Sequence, residues 1–111
     1  PLDRSTFKLI NKNNIRLFPK DSILINCSRG GTVDENALIE ALKKNKLKYA
    51  GIDVFVTEPE FNKKFTKLKN VLLTPHLAGK TIESKERMGI TAAKKIIEYF
   101  NSSESKHKLI N

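Results

Sequence analysis

A short apolar segment that ends at a glycine pair places the strongest constraint on how this chain folds. Residues 22–27 are β-rich, and the continuous apolar run ILI at their centre is typical of a strand covered on both faces. The glycine pair GG ends this strand. The sequence TVDE that follows matches a capping box, in which Thr32 accepts from the helix start and Glu35 reaches back. It predicts a helix that runs to about Lys46.

Further strands and helices are predicted along the rest of the chain. A second strand is expected at residues 49–55 and a third at residues 70–74, closed by Pro75. A strand, a helix and a strand joined by a crossover of this length predict a right-handed βαβ unit with parallel strands. A last helix is expected over residues 81–100, and a weaker helical pattern covers residues 5–17. The apolar residues at helical spacing in the last helix are Ile90, Ala93, Ile96, Ile97 and Phe100. The fold class is therefore α/β, as part of a doubly wound parallel sheet with a long C-terminal helix.

The composition of the chain limits its possible functions. Its 111 residues are enough for one small domain, and its net charge of +9 raises nucleic-acid binding as an alternative. The lysines, however, are dispersed among acidic residues, and no aromatic-rich strand is present to stack bases. No apolar run reaches the length of a membrane span. We therefore expect neither a nucleic-acid partner nor a membrane partner.

The only cysteine and the only methionine carry two further expectations. Because Cys27 has no second cysteine to pair with, an internal disulfide and a cysteine-rich zinc site are excluded. A reducing compartment suits such a chain, so we expect a cytoplasmic location and no metal. The chain begins at Pro1 and its methionine is Met88, so we expect the natural N-terminus to lie upstream.

Three separated side chains carry the functional prediction. Arg29 follows the first predicted strand, Glu58 the second and His76 the third. Since ligands bind at the carboxyl ends of parallel strands, we expect these side chains to share one edge of the sheet. A guanidinium can hold a carboxylate, and an imidazole beside a carboxylate can pass a proton. Glycines next to Arg29 would let a ligand approach the backbone closely. The set indicates chemistry on a small acid.

Each of these side chains also has a purely structural interpretation. Arg29 alone could be a surface residue before a tight turn, His76 a residue that caps a strand end, and Glu58 an exposed loop residue. A cysteine nucleophile made of Cys27, His76 and Asp53 is disfavoured, because Cys27 closes an apolar strand. The five glycines nowhere form G-x-G-x-x-G, so the usual phosphate-binding loop is missing.

Three motifs surround the functional side chains. They are ILINCSRGGTVDE at residues 23–35, YAGIDVF at residues 49–55 with the later pair Glu58-Pro59, and LTPH at residues 73–76. In order and spacing they resemble the motifs of the NAD-dependent D-isomer-specific 2-hydroxyacid dehydrogenases, most closely those of the D-3-phosphoglycerate dehydrogenase-like branch. The resemblance covers essentially the whole chain and implies a partial Rossmann-type fold, the second half of a nucleotide-binding domain.

The resemblance implies a role for each residue of the site. The catalytic residues would be Arg29, which binds the substrate carboxylate and helps polarise the carbonyl, His76, which exchanges a proton with the carbonyl oxygen, and Glu58, which orients and charges the imidazole. The residues implied to contact the cofactor are Cys27, Ser28, Arg29, Asp53, His76, Leu77, Ala78 and Gly79. Among them, Asp53 would hold the nicotinamide carboxamide. The cofactor would be NAD, with NADP left open, and the substrate a small 2-hydroxy or 2-keto acid.

The resemblance also implies that the chain is one part of a longer enzyme. Residues 1–101 would be the C-terminal half of a Rossmann-type NAD-binding domain, and residues 102–111 a tail that returns toward a substrate domain outside the chain. The full-length protein is expected to form a homodimer, and the isolated polypeptide is not expected to turn over substrate. Upstream loops would select the substrate, so its identity stays open. The alternative function is a non-catalytic, NAD-binding protein on the same scaffold, similar to the transcriptional corepressors related to this family.

Overall fold

The computed structural model describes residues 1–102, which divide into two compact units, the first over Pro1–Ala78 and the second beginning at Gly79. The first unit contains strands β1 (Ile23–Asn26), β2 (Tyr49–Ile52) and β3 (Val71–Leu73) and helix α1 (Glu35–Lys43). It also contains three short 3₁₀ turns, at Ile15–Leu17, Gly30–Thr32 and Lys63–Lys67. The second unit contains helix α2 (Ile82–Asn101). Except for its first residue, the predicted tail at 102–111 lies outside the described residues.

The three strands form one parallel sheet in the order β1-β2-β3, which confirms the predicted strand arrangement. The register pairs Ile25 with Gly51, and Gly51 with Leu72. Because all three strands run in the same direction, their carboxyl ends meet at one edge of the sheet. Helix α1 lies in the crossover between β1 and β2, as expected for an α/β fold.

The hydrophobic core of the first unit lies between one face of the sheet and helix α1. Core side chains come from the helix (Leu38, Ile39, Leu42), from the strands (Leu24, Ala50, Ile52) and from the connecting segments (Leu47, Phe65). Burying a side chain of this size stabilises a fold by about 1.5–3 kcal/mol. The core therefore supports the edge at which the strands end.

Within the described residues, β1 is buried on one face only. Leu24 is 7% exposed, whereas its neighbours Ile23 and Ile25 are 59% and 73% exposed. Successive side chains of a strand point to opposite faces, and within this unit a helix packs on one face only. The run ILI carries no alternation of polarity, so nothing in it distinguishes the two faces.

The start of α1 also differs from the predicted capping box. Asp34 is the N-cap, and its carboxylate accepts from the amides two and three residues further on, at 3.1 and 3.2 Å. Thr32 belongs to the preceding 3₁₀ turn, where its hydroxyl donates to the carbonyl of Arg29 at 2.7 Å. Glu35 accepts from the amide of Val56 at 2.9 Å instead of reaching back to the cap. Because an aspartate caps as well as a threonine does, two candidate caps in one segment left the helix start ambiguous.

The weak helix predicted over residues 5–17 is wrong as well. This segment contains turns, an isolated parallel bridge between Ile10 and Val33, and a 3₁₀ turn at Ile15–Leu17. Its asparagines bond to nearby backbone groups, namely Asn11 to Lys8, Asn14 to Leu9 and to the amide of Asn11, and the amide of Asn13 to Asn11. Such side-chain bonds compete with the hydrogen bonds of a helix, which explains the difference.

The long helix α2 is confirmed within one residue of its predicted ends. Its N-cap is Thr81, whose hydroxyl accepts from the amide of Ser84 at 3.1 Å. None of its residues is buried, including the apolar set at helical spacing. Among residues 1–102, no helix has both the length and the apolar character needed to cross a membrane.

Candidate active site

All three predicted catalytic residues follow the carboxyl ends of the strands. Arg29 lies three residues after β1, Glu58 six residues after β2 and His76 three residues after β3. Neighbouring strands are about 4.8 Å apart, so the ends of β1 and β3 are separated by about 10 Å. All three residues therefore lie at the same edge of the sheet.

His76 and Glu58 are in direct contact. The imidazole Nδ1 lies 2.8 Å from Oε2 of Glu58, while Oε1 of the same carboxylate accepts from the amide of Phe55 at 2.9 Å. The hydrogen bond with His76 is the main reason that the pKa of Glu58 lies below its usual value, and the amide of Phe55 adds to it. An ionised carboxylate can only accept, so Nδ1 carries the proton of this bond. The opposite ring nitrogen, Nε2, takes no part in this bond.

The backbone of His76 has a left-handed conformation, with φ of 53°. This conformation costs a residue with a side chain about 1–2 kcal/mol, and such strain concentrates at functional sites. The amide of His76 donates to the carbonyl of Asp53 at 2.9 Å and approaches that of Thr74 at 3.1 Å. Hydrogen bonds to the neighbouring strand end therefore hold the strained residue in place.

Asp53 is buried, at 4% exposure, and its carboxylate accepts three hydrogen bonds. Oδ1 accepts from the hydroxyl of Thr74 at 2.5 Å and from the amide of Leu77 at 2.7 Å, and Oδ2 accepts from the amide of Ala78 at 2.9 Å. Burial by itself raises the pKa of Asp53, but these hydrogen bonds outweigh it, and the pKa lies below its usual value. Asp53 is therefore an ionised side chain that already binds the loop of His76.

Arg29 is exposed, and its backbone is fixed more firmly than its side chain. Its carbonyl accepts from the side-chain amide of Asn26 at 3.2 Å and from both the amide and the hydroxyl of Thr32, at 3.1 and 2.7 Å. The guanidinium donates through Nη1 to the carbonyl of Ser28 at 2.7 Å. A guanidinium has five N–H donors, so several remain to bind a carboxylate.

The structure shows why position 30 requires a glycine, for a reason that was not predicted from the sequence. A Cβ atom at this position would lie 2.0 Å from the carbonyl carbon of Phe55 and 2.4 Å from the amide nitrogen of Val56. The chain's own backbone, rather than a ligand, approaches Gly30 closely. At Gly31 the nearest atoms belong to the flexible side chain of Leu2, at 2.9 Å.

The remaining residues predicted to contact the cofactor differ in how they are bonded within the protein. Cys27 is exposed and its thiol is free. The amide and the hydroxyl of Ser28 both bond to Oδ1 of Asn26, at 3.1 and 2.8 Å. The amides of Leu77 and Ala78 are bound by Asp53, and Gly79 belongs to the second unit.

Two residues that organise this edge, Asn26 and Thr74, were not predicted from the sequence. Asn26 is buried and fixes the turn that carries Arg29, and Thr74 bonds to Asp53. Each is a polar residue at or directly after the last position of an apolar strand. That position is the signal that could have identified both, because a buried polar side chain needs partners.

The chain belongs to the D-isomer-specific 2-hydroxyacid dehydrogenases. Residues 1–78 match the family described as "D-isomer specific 2-hydroxyacid dehydrogenase, NAD binding domain". The match covers the first compact unit and includes the three strand ends described above. The resemblance found in the motifs is confirmed.

The relatives include a glyoxylate reductase and a glycerate dehydrogenase. The chain is 43% identical, over all of its 111 residues, to glyoxylate reductase of Thermococcus litoralis, and 40% identical over 96 residues to glycerate dehydrogenase of Cucumis sativus. These alignments cover 100% and 86% of the chain, and 33% and 25% of the relatives. The chain therefore spans about a third or less of their length.

Solved structures agree with the family. NADPH-dependent glyoxylate/hydroxypyruvate reductase of Sinorhizobium meliloti, in complex with NADP and malonate, superposes with a TM-score of 0.74 at 33% identity, over 94% of this chain and 33% of that one. D-mandelate dehydrogenase of Rhodotorula graminis gives a TM-score of 0.75 at 32% identity, over 89% and 29%. These likenesses confirm the Rossmann-type fold.

Proposed function

We propose that this chain supplies the proton-transfer and carboxylate-binding residues of an NAD(P)-dependent oxidoreductase that interconverts 2-keto acids and 2-hydroxy acids. The observation that carries the proposal is the 2.8 Å contact between His76 and Glu58 at the sheet edge that also bears Arg29. Membership of the dehydrogenase family and the keto-acid reductases among its relatives support it.

The proposed mechanism assigns one task to each side chain. The free N–H donors of Arg29 hold the substrate carboxylate, which fixes the position of the neighbouring carbonyl. Glu58 binds Nδ1 of the imidazole and orients the ring. In reduction, Nε2–H of His76 gives its proton to the carbonyl oxygen while a hydride adds to the carbonyl carbon, and the C=O bond becomes HC–OH. In oxidation, neutral Nε2 removes the hydroxyl proton.

The chemistry of this edge fits a nicotinamide cofactor, which supplies or accepts the hydride when it is bound. A carboxylate offers about four acceptor positions, and three of those on Asp53 are occupied. The remaining position on Oδ2 suits an N–H of the nicotinamide carboxamide, with Cys27 and Ser28 on the next strand end. We propose NAD(H) as the cofactor and leave NADP(H) open, since the Sinorhizobium relative is described as NADPH-dependent.

Further proposals concern the class of substrate, the domain arrangement, the oligomeric state and the location of the full-length protein. A small 2-keto acid of the glyoxylate or hydroxypyruvate type is the proposed substrate, because these acids appear in the names of the relatives. Residues 1–101 would act as part of the NAD-binding domain and residues 102–111 as the connection to a substrate domain. A homodimeric full-length protein and a cytoplasmic location remain predictions, the latter supported by a single unpaired cysteine.

A chimeric enzyme tests the proposal directly. The aligned third of the Thermococcus litoralis enzyme is replaced by this chain, and oxidation of NADH is measured with glyoxylate as substrate. We expect turnover, and His76→Gln should lower kcat by about 10²–10⁴-fold while NADH still binds, since general acid catalysis contributes about that much. His107→Gln, which removes the other histidine of the sequence, is the matched control and should be active.

Further variants separate the proposed roles. Arg29→Lys keeps the charge but loses the forked donors, so the KM for glyoxylate should rise about ten- to a hundredfold, whereas Arg16→Lys should change nothing. Full activity of His76→Gln would refute the assigned proton donor. A chimera that binds NADH but shows no turnover would favour the non-catalytic alternative on the same scaffold.

A further inference from the structure

Three successive backbone amides after β3 point at a single residue of the neighbouring strand. The amide of His76 donates to the carbonyl of Asp53, and those of Leu77 and Ala78 donate to its carboxylate, at distances of 2.9, 2.7 and 2.9 Å. Consecutive amides around a left-handed residue form a concave anion-binding nest. In this chain the amides of Leu77 and Ala78 bind the protein's own buried carboxylate, and that of His76 binds the carbonyl of the same residue.

The hydroxyl of Thr74 completes this arrangement. It donates to Oδ1 of Asp53 at 2.5 Å, a short bond of the kind that an ionised acceptor makes. The amide of Thr74 also continues the strand pairing, since it donates to the carbonyl of Ile52 at 3.0 Å. The hydroxyl therefore comes from a residue whose own backbone is anchored in the sheet, and it limits how the carboxylate can rotate.

Most acceptor positions of the Asp53 carboxylate are occupied by partners within the protein. The two positions of Oδ1 are filled by Thr74 and Leu77, and one of the two on Oδ2 is filled by Ala78. If the hydroxyl were absent, the carboxylate could turn and exchange these partners. The backbone conformation of His76 would then lose its fixed support.

We infer that Thr74 is a positioning residue of this site, which acts through Asp53 to hold His76 in the left-handed conformation that turns its ring toward Glu58. The consequence for catalysis rests on the proposed function, whereas the structural coupling does not. Thr74 itself touches neither the substrate nor the transferred proton in this mechanism.

Amide exchange in the 111-residue chain tests the coupling without any assay of activity. Thr74→Val removes the hydroxyl and preserves the shape, so the amides of Leu77 and Ala78 should exchange about tenfold faster, as expected for one lost hydrogen bond to a charged group. Thr74→Ser should stay within about twofold of the wild type. Thr66→Val is the matched control, because the hydroxyl of Thr66 donates only to the carbonyl of Lys63 within an exposed turn.

The exchange rates of other amides distinguish a local effect of Thr74→Val from a general loss of stability. Amides of β2 report on the sheet and should keep their exchange rates in Thr74→Val; unchanged rates at Leu77 and Ala78 would overturn the inference. If the amides of β2 also exchange faster in Thr74→Val, the variant reports a general loss of stability. The test is then made on the wild-type chain by a pH titration. The chemical shifts of the Leu77 and Ala78 amides should follow the titration of the Asp53 carboxyl, and their failure to do so would also overturn it.

Kinetics of the chimera then separate positioning from cofactor binding. Thr74→Val should lower kcat about ten- to a hundredfold, and the KM for NADH should rise with it because the same carboxylate is the proposed carboxamide acceptor; Thr74→Ser should restore most of the activity. A raised KM for NADH at an unchanged kcat would show that Thr74 serves cofactor binding and would overturn its role toward His76. If the unsubstituted chimera is inactive, the proposed function fails, while the exchange result still decides the coupling.

Discussion

Gly30→Ala is the substitution for which the structure predicts the largest effect among the glycines. The added Cβ would lie 2.0 Å from the carbonyl carbon of Phe55, 2.1 Å from its oxygen and 2.4 Å from the amide nitrogen of Val56. All three atoms belong to the backbone, so no side chain can turn away, and a segment must move by more than an ångström to restore ordinary contact. Overpacking of this kind costs about 1–3 kcal/mol and occasionally more.

We expect Gly30→Ala to lose about 3 kcal/mol, a large part of the 5–15 kcal/mol that stabilises a typical domain. Urea unfolding followed by the amide resonances of β2 measures this loss for the first unit. Gly51→Ala is the matched control: its Cβ would lie 3.7 Å from the side chain of Ile25, and the loss of glycine's flexibility should leave stability unchanged or raise it by about 0.4–1 kcal/mol. Equal stability of the two variants would refute the reasoning.

Two further predictions concern the cap of α1 and the candidate proton relay. Asp34→Ala should lower the free energy of unfolding by about 1–2 kcal/mol, and Thr32→Ala by clearly less, because Asp34 is the side chain that caps the helix; the reverse order in urea unfolding would contradict this. The pKa of Glu58 is lowered in the folded state, mainly by His76, so its stabilising effect is present above the unfolded pKa and is lost as the pH falls through the folded pKa. The stability difference between the wild type and Glu58→Gln should therefore shrink toward acidic pH, and a constant difference would show that the charge is not involved.

The parallel sheet and the shared edge could be predicted from the sequence because both follow from local patterns. Short β-rich segments alternating with a helix allow few topologies, and the residues after each strand must then meet at one edge. The contact between His76 and Glu58 was accessible for the same reason. The start of α1 could not be predicted, because both Thr32 and Asp34 are good N-caps. Only their hydrogen-bond partners in the folded chain show which of them caps the helix.

The unpredicted features depend on contacts between segments far apart in the sequence. A glycine is required at position 30 because the backbone of Phe55 approaches it closely, and the carboxylate of Glu35 accepts from the amide of Val56. A local sequence pattern contains neither contact. The left-handed conformation of His76 is likewise held by hydrogen bonds to Asp53, which lies far from it in the sequence.

The peptide between Phe55 and Val56 connects these separate observations. Its carbonyl group faces Gly30, beside Arg29, and its amide at Val56 donates to the first residue of α1. One residue earlier, the amide of Phe55 donates to the carboxylate of Glu58, which in turn holds the imidazole. The carboxylate-binding side and the proton-transfer side of the proposed site are thus tied to one short segment after β2. Since the segment packs against backbone on one side and a charged group on the other, a shift large enough to relieve a contact at Gly30 would also move the partner of the histidine.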